Sequence, residues 1–248
     1  MSTAKSAFLS AFSRNDNPRR ETLRTELAKS VVRETGIQPR PKLVLASASP
    51  RRLMLLDQAG IKPDALRPAS LDETPKKGEM PRALVARLAR AKAEAARDQI
   101  ANDRDIADAY VLAADTIVSN NLKVFGKPQQ VEEAVEFLNR LSGRSHRVLT
   151  AVCLITPQDR VRTKIVDTKV RFKYLTKSEI EAYIATREWR DKAGGYAIQG
   201  LAGSFVQKIK GSYTNVVGLP LTEVVAMLVS EGFPIHFNWI RAAEADRD

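Results

Sequence analysis

The run Leu43-Val44-Leu45-Ala46-Ser47-Ala48-Ser49-Pro50-Arg51-Arg52 leaves the chain few ways to fold around it. Its first four residues have the length and composition of a buried strand, and the Ser-x-Ser-Pro that follows ends it. Pro50 suits the first position of a helix, where its φ is already set and its missing N–H costs nothing. Ser49 is placed to be the N-cap, its hydroxyl accepting a bond from a free amide of the first turn. A strand, a tight turn and a helix follow from these residues. The helix start presents free amides and the positive end of its dipole, and Arg51 and Arg52 add full charges beside them. Together with the hydroxyls of Ser47 and Ser49, these groups are suited to a phosphate. The same ten residues also fit a plain strand-to-helix turn carrying two solvated arginines, so the turn alone leaves both readings open.

Beyond the turn, strand-like and helix-like segments alternate. Pro50–Ala59 reads as the first helix with Gly60 as its C-cap, and Asp64–Ala69 as a second strand leading into the acidic turn Asp72-Glu73. Pro81–Ile100 is a long amphipathic helix with Leu84, Val85, Leu88 and Ala91 on one face. Tyr110–Ala114 reads as a buried strand ending at Asp115-Thr116, and Val131–Leu141 as a helix. Arg147–Thr156 and Val161–Lys173 read as paired strands, and Thr176 starts a helix with Ser178 and Glu179 near its beginning. This order predicts an α/β fold with a mixed, twisted sheet flanked by helices.

Within the 248 residues, 42–235 form the expected folded domain. Residues 1–41 read as a flexible basic extension, broken by Asn15-Asp16-Asn17-Pro18, with a polar helix over Glu21–Glu34 and a linker at Gln38-Pro39-Arg40-Pro41. Its first twenty residues, with a single acid, have transit-peptide character; a disordered extension or a start codon set too far upstream fits as well. Residues 236–248 are read as a tail. No apolar run approaches the 18 or so residues that span a bilayer, so no membrane partner is expected. Cys153 is the only cysteine, lies in a strand-like stretch and reads as a small buried hydrophobe; its solitude fits a reducing cytoplasm.

The net charge is +11, of which residues 1–41 hold eight Lys/Arg against four acids. Residues 42–248 therefore keep +7. Such a charge attracts nucleic acid or a polyphosphate ligand equally well. Aromatic residues make up 6% of the chain and show no clustering with basic ones along the sequence, so a nucleotide ranks above a nucleic acid and no stable nucleic-acid partner is expected.

Asp115 is the strongest candidate for chemistry. A strand that delivers a carboxylate to its C-terminal end places it where open α/β sheets bind ligands. There it can take a proton from an attacking water or hold a metal ion that carries the water; an Asp capping a turn is the plainer alternative. Lys92 and Lys127, the latter in Gly126-Lys127-Pro128, are cations able to neutralise a phosphate that gains charge during cleavage. Asp72, Glu73 and Asp115 could hold a hard divalent ion such as Mg²⁺ or Mn²⁺. Asp191–Gly200 is glycine-rich: Gly194, Gly195 and Gly200 allow close backbone approach to a ligand, and the Gln199 amide can read a pyrimidine edge. His146 and His236 stand too far apart in sequence to read as metal ligands.

These segments, with Leu141-Ser142-Gly143-Arg144-Ser145-His146 and Gly218-Leu219-Pro220-Leu221, resemble in order the motifs of the Maf proteins, a family of nucleoside triphosphate pyrophosphatases. The resemblance runs from about Lys42 to Phe233. It implies a central nucleotide cleft of the Maf/inosine-triphosphatase kind and a reaction that turns an NTP and water into an NMP and diphosphate. Asp115 would be the proton acceptor, and Ser47, Ser49, Arg51, Arg52, Lys92 and Lys127 the phosphate ligands. Arg51, Thr116 and Gln199 match the branch of the family that prefers dTTP and UTP. A divalent cation is the implied cofactor and a homodimer is compatible with the resemblance. A nucleotide- or nucleic-acid-binding regulator of cell division is the rival reading.

Overall fold

The computed structural model describes residues 40–121 and 123–235. The expectations for residues 1–39 and for the tail with His236 lie outside the described residues.

The described strands form one mixed sheet. Strand β1 (Leu43–Leu45) runs parallel to β2 (Ala65–Leu66) on one side and to β3 (Tyr110–Asn120) on the other. The remaining pairings are antiparallel: β3 with the short β4 (Lys123–Phe125) and with β5 (Ser145–Ile155), β5 with β6 (Val161–Phe172), and β6 with the edge strand β7 (Val206–Lys210). Helix α1 (Pro50–Gln58) follows β1, and α2 (Pro81–Ile100) follows β2. Helices α3 (Val131–Leu141), α4 (Lys177–Ala185), α5 (Tyr213–Val217) and α6 (Leu221–Ser230) come later in the chain.

Strand periodicity sorts the core into layers. Val111, Ala113 and Ile117 of β3 face α2 with Leu149, Ala151 and Cys153 of β5, and meet Leu84, Val85, Leu88 and Ala93. Leu112 and Ala114 face the other way with Val152 and Leu154, and meet Leu55 and Leu56 of α1 and Val224 and Leu228 of α6. A third cluster lies farther along the same strands, where Val118, Phe125, Val148 and Phe172 pack on Phe137 and Leu138 of α3 and Tyr183 of α4. Thr176 caps α4 through a reciprocal pair with Glu179, the capping box that satisfies two otherwise orphaned amides.

Two strands differ from the sequence reading. β2 covers only Ala65–Leu66, because β1 offers it just Val44 and Leu45 as partners. β3 does not end before Asp115 but runs on to Asn120, since Asp115 and Thr116 keep ladder partners in Ala151 and Thr150.

Candidate active-site cleft

The site arises from a difference in strand length. β1 stops opposite Leu112, where the Ala46 amide still donates to the Leu112 carbonyl at 2.8 Å, and the chain then turns away while β3 continues. Asp115 and Thr116 sit just past that point. They are mid-strand in β3, yet at the C-terminal end of the parallel β1–β3 pair, which keeps them at the ligand-binding edge of an α/β sheet. Above them opens a cleft of about 1220 Å³. Ser47, Ser49, Arg51, Arg52, Glu73, Lys92, Asp115, Thr116, Lys127 and Gln199 all line it. Asp72 does not line it, nor do Gly194, Gly195 and Gly200.

The opening turn builds a fixed guanidinium. Arg52 donates through Nε to the Gly218 carbonyl at 2.9 Å, and its two terminal nitrogens reach Ser47 Oγ at 3.1 Å and Thr116 Oγ1 at 3.2 Å. Burial pushes the Arg52 guanidinium below the ordinary arginine value and the Asp115 carboxylate pulls it back, so a full positive charge is held in a partly desolvated place. Ser49 occupies the N-cap with extended backbone but makes no capping bond through its side chain. Its amide donates to Ser47 Oγ at 3.2 Å. Arg51, half-buried, lies beside Asp191; burial lowers its guanidinium and Asp191 opposes that shift. Lys192, on the same wall, is lowered by burial and by the charge of Arg51.

Behind Arg52 runs a buried chain of hydroxyls. Thr116 Oγ1 shares a hydrogen bond of 2.9 Å with Thr150 Oγ1, which donates to the Asn215 carbonyl at 3.1 Å. The Asn215 amide donates to Thr168 Oγ1 at 2.9 Å and to the Val148 carbonyl at 3.0 Å. Thr150, Asn215 and Thr168 are fully buried. These three residues come from β5, α5 and β6, and no local sequence signal marks them.

Charges alternate on the opposite wall. Lys92 Nζ lies 2.5 Å from Asp115 Oδ1 and 2.6 Å from Glu73 Oε1, and Glu73 Oε2 is 3.2 Å from Lys127 Nζ. Lys92 is thus a buried bridge between two carboxylates and not a solvated cation; the pairing escapes a sequence reading because 19 residues separate Glu73 from Lys92 and 23 separate Lys92 from Asp115. Burial raises the Glu73 carboxyl, but its bond to Lys92 and the two ammonium charges outweigh that and hold it below the usual range. Asp115 Oδ2 has no protein partner among the described residues. Asp72 is exposed and spends its carboxylate on the Thr74 amide at 2.9 Å, closing a turn.

The three-carboxylate metal site is therefore not assembled, and no cluster of three His, Cys, Asp or Glu suited to a metal is present among the described residues. Glu73 and Asp115 remain on either side of one ammonium. Two carboxylates fit a Mg²⁺-like ion that keeps waters and completes its shell with substrate phosphates, rather than a cage built by protein alone.

The glycines of the 193–203 segment answer to internal packing. Gly194 has φ +72°, donates to the Gly126 carbonyl, and a Cβ there would stand 3.0 Å from the Val118 side chain. A Cβ on Gly200 would stand 2.1 Å from a Glu188 carboxylate oxygen. At both positions the backbone lies close against the protein itself. Gln199 is exposed at the cleft rim. His146 is a core residue, bonded through Nε2 to the Tyr196 hydroxyl at 2.8 Å and edge-on to Phe172, and Cys153 is buried with its thiol pushed up by burial.

Comparisons with known proteins identify the family. Residues 42–231 match the family model described as Maf-like protein. A Rhodopseudomonas palustris protein (strain BisB5) named dTTP/UTP pyrophosphatase is 61% identical over 204 residues, 82% of this chain and 99% of that protein. A Bradyrhizobium diazoefficiens protein of the same name is 58% identical over 203 residues, covering 82% of this chain and 97% of its own length. Among solved structures, the Ham1 protein of Staphylococcus aureus shares 16% identity with a TM-score of 0.37, over 53% of this chain and 71% of that one. On the family match and the near-complete coverage of these relatives, the chain belongs to the Maf-like protein family.

Proposed function

We propose that this protein is a nucleoside triphosphate pyrophosphatase that hydrolyses dTTP and UTP to the monophosphate and diphosphate, acting in the cytoplasm. The observation that carries the proposal is the buried Asp115 carboxylate, fixed through one oxygen by Lys92 at 2.5 Å and facing a cleft whose other wall holds the anchored Arg52. High identity to relatives named dTTP/UTP pyrophosphatase supports the substrate class.

In this reading the triphosphate lies along the opening turn. Ser47 and Ser49 hydroxyls, Arg51 and Arg52 bind its phosphates, and Lys127 faces the departing end. Asp115 Oδ2 takes the proton of a water that attacks the α-phosphorus. The bond from that phosphorus to the oxygen bridging to the β-phosphorus breaks, and diphosphate leaves with its new charge met by the cations. Groups preset where charge develops are the main source of rate in such a site. Glu73 and Asp115 would hold a divalent ion arriving with the nucleotide; such an ion supplies charge neutralisation on the phosphates.

Base choice falls to Arg51, Thr116 and Gln199. The O4, N3–H and O2 edge of uracil or thymine offers an acceptor where cytosine offers an amino donor, so a fixed donor rejects cytosine. An unpaired polar group in a desolvated site costs about 1–3 kcal/mol, or tenfold to a hundredfold in specificity. Diphosphate release measured across the common nucleoside triphosphates, with and without Mg²⁺, tests this: dTTP and UTP lead, dCTP and CTP follow, purines trail, and Gln199→Glu narrows the gap. A lead for GTP or its methylated forms would overturn the branch, and no diphosphate from any of them would overturn the activity.

A further inference from the structure

We infer that the open face of β5, β6 and β7 beyond the N-terminus of α2 binds single-stranded nucleic acid through its phosphodiester backbone. Ladder register puts Arg147 opposite Lys169 and Lys169 opposite Lys210, and a second row pairs Arg171 with Lys208. Cross-strand partners, and residues two apart on one strand, share a face. Five cations are thus assembled on one surface, and Arg147, Lys169, Arg171, Lys208 and Lys210 are all exposed. The acid among them is Asp167, bonded by Arg147 and approached by Arg82 of α2 at 3.8 Å. Lys169, Arg171, Lys208 and Lys210 have no acidic partner among the described residues. Elsewhere arginines are matched: Arg87 with Glu79, Arg97 with Asp159, Arg162 with Glu231.

Like charges directly opposite each other across a ladder destabilise a sheet. Lysines on an edge strand do protect it against pairing with another sheet, and that accounts for Lys208 and Lys210 on β7. It does not account for Lys169 and Arg171 on β6 or Arg147 on β5, which are interior strands. A polyanion laid across the rows removes the repulsion. Residues two apart on a strand are about 6.6–6.8 Å apart, and neighbouring strands about 4.8 Å, a close two-dimensional array of charge suited to successive phosphates.

An exposed aromatic favours a single strand over a duplex. Tyr174 is 77% exposed, three residues after the exposed Arg171 at the end of β6. Such a ring stacks on an unpaired base, while basic rows follow the backbone. The fold brings cations of three strands onto one face, a grouping that the linear sequence hides.

The test is fluorescence anisotropy of a labelled single-stranded oligoadenylate against the full chain, at several salt concentrations. The double variant Lys169→Gln/Lys210→Gln should bind at least tenfold more weakly, and its log–log salt slope should fall by about 1.4, the value for two lost phosphate contacts on a single strand. Tyr174→Ala should weaken binding by roughly tenfold. Diphosphate release by the variants should equal the wild type, since these residues lie outside the cleft, and their melting temperature should hold or rise as repulsion is removed. Equal affinity of the double variant and wild type would overturn the proposal. Tighter binding to anionic phospholipid vesicles or to polyglutamate than to the oligonucleotide would overturn it in favour of a membrane or an acidic protein.

Discussion

A lysine on an amphipathic helix is ordinarily solvated, but Lys92 is buried because Glu73 and Asp115 meet its ammonium. Removing one partner of a buried pair leaves the other charge uncompensated, at a cost of about 3–5 kcal/mol. Lys92→Met should therefore lower unfolding stability by that amount in denaturant titrations, with turnover lost as well. Thr150 tests the hydroxyl chain behind Arg52. Thr150→Val removes a buried group that bonds Thr116, and one lost bond is worth about 1 kcal/mol. We expect kcat/KM to fall about five- to tenfold, with Thr150→Ser close to wild type; equal loss in both would mean that shape and not the hydroxyl matters. Asp115, Arg52 and Lys127 were legible from residue type and motif. The pairings that fix them were not, because Lys92, Gly218 and Glu73 reach them only through the fold.

Helices α2 and α3 start and stop where periodicity and proline place them, at Pro81–Ile100 and Val131–Leu141, because local signals decide such ends. Strand ends depend on the neighbouring strand. Asp115 reads as the end of a strand because a charge interrupts an apolar run, yet β5 supplies partners that carry β3 to Asn120. The segment around Gly194 and Gly200 is governed by packing. Gly200→Ala meets the Glu188 carboxylate that accepts from the Leu201 amide at 2.9 Å, so we expect a loss of about 1–3 kcal/mol in thermal or denaturant unfolding. β5 also carries a pH response. Burial depresses His146 to about 4, whereas in the unfolded chain it titrates near the ordinary histidine value of about 6.5. The neutral ring's contribution is fully present above the unfolded value and lost as pH falls from about 6.5 toward 4, roughly 3 kcal/mol in all. Melting temperature should drop over that window, and His146→Gln should drop less.

At the scale of the whole molecule, one sheet carries two kinds of positive charge. In the cleft, cations are anchored by hydroxyls, carbonyls and carboxylates; on the β5–β7 face they stand open. The family match begins at residue 42, so a chain lacking residues 1–41 should keep its melting temperature and its diphosphate release. Among the described residues no helix is long and apolar enough to cross a membrane. The central claim is that water attacks the α-phosphorus at Asp115. Hydrolysis of dTTP in ¹⁸O-labelled water, followed by mass spectrometry of both products, tests it directly. The account predicts one ¹⁸O in dTMP, unlabelled diphosphate, and loss of turnover by about 10²-fold or more in Asp115→Asn with nucleotide binding intact. Label in diphosphate, or dTDP and phosphate as products, would contradict it.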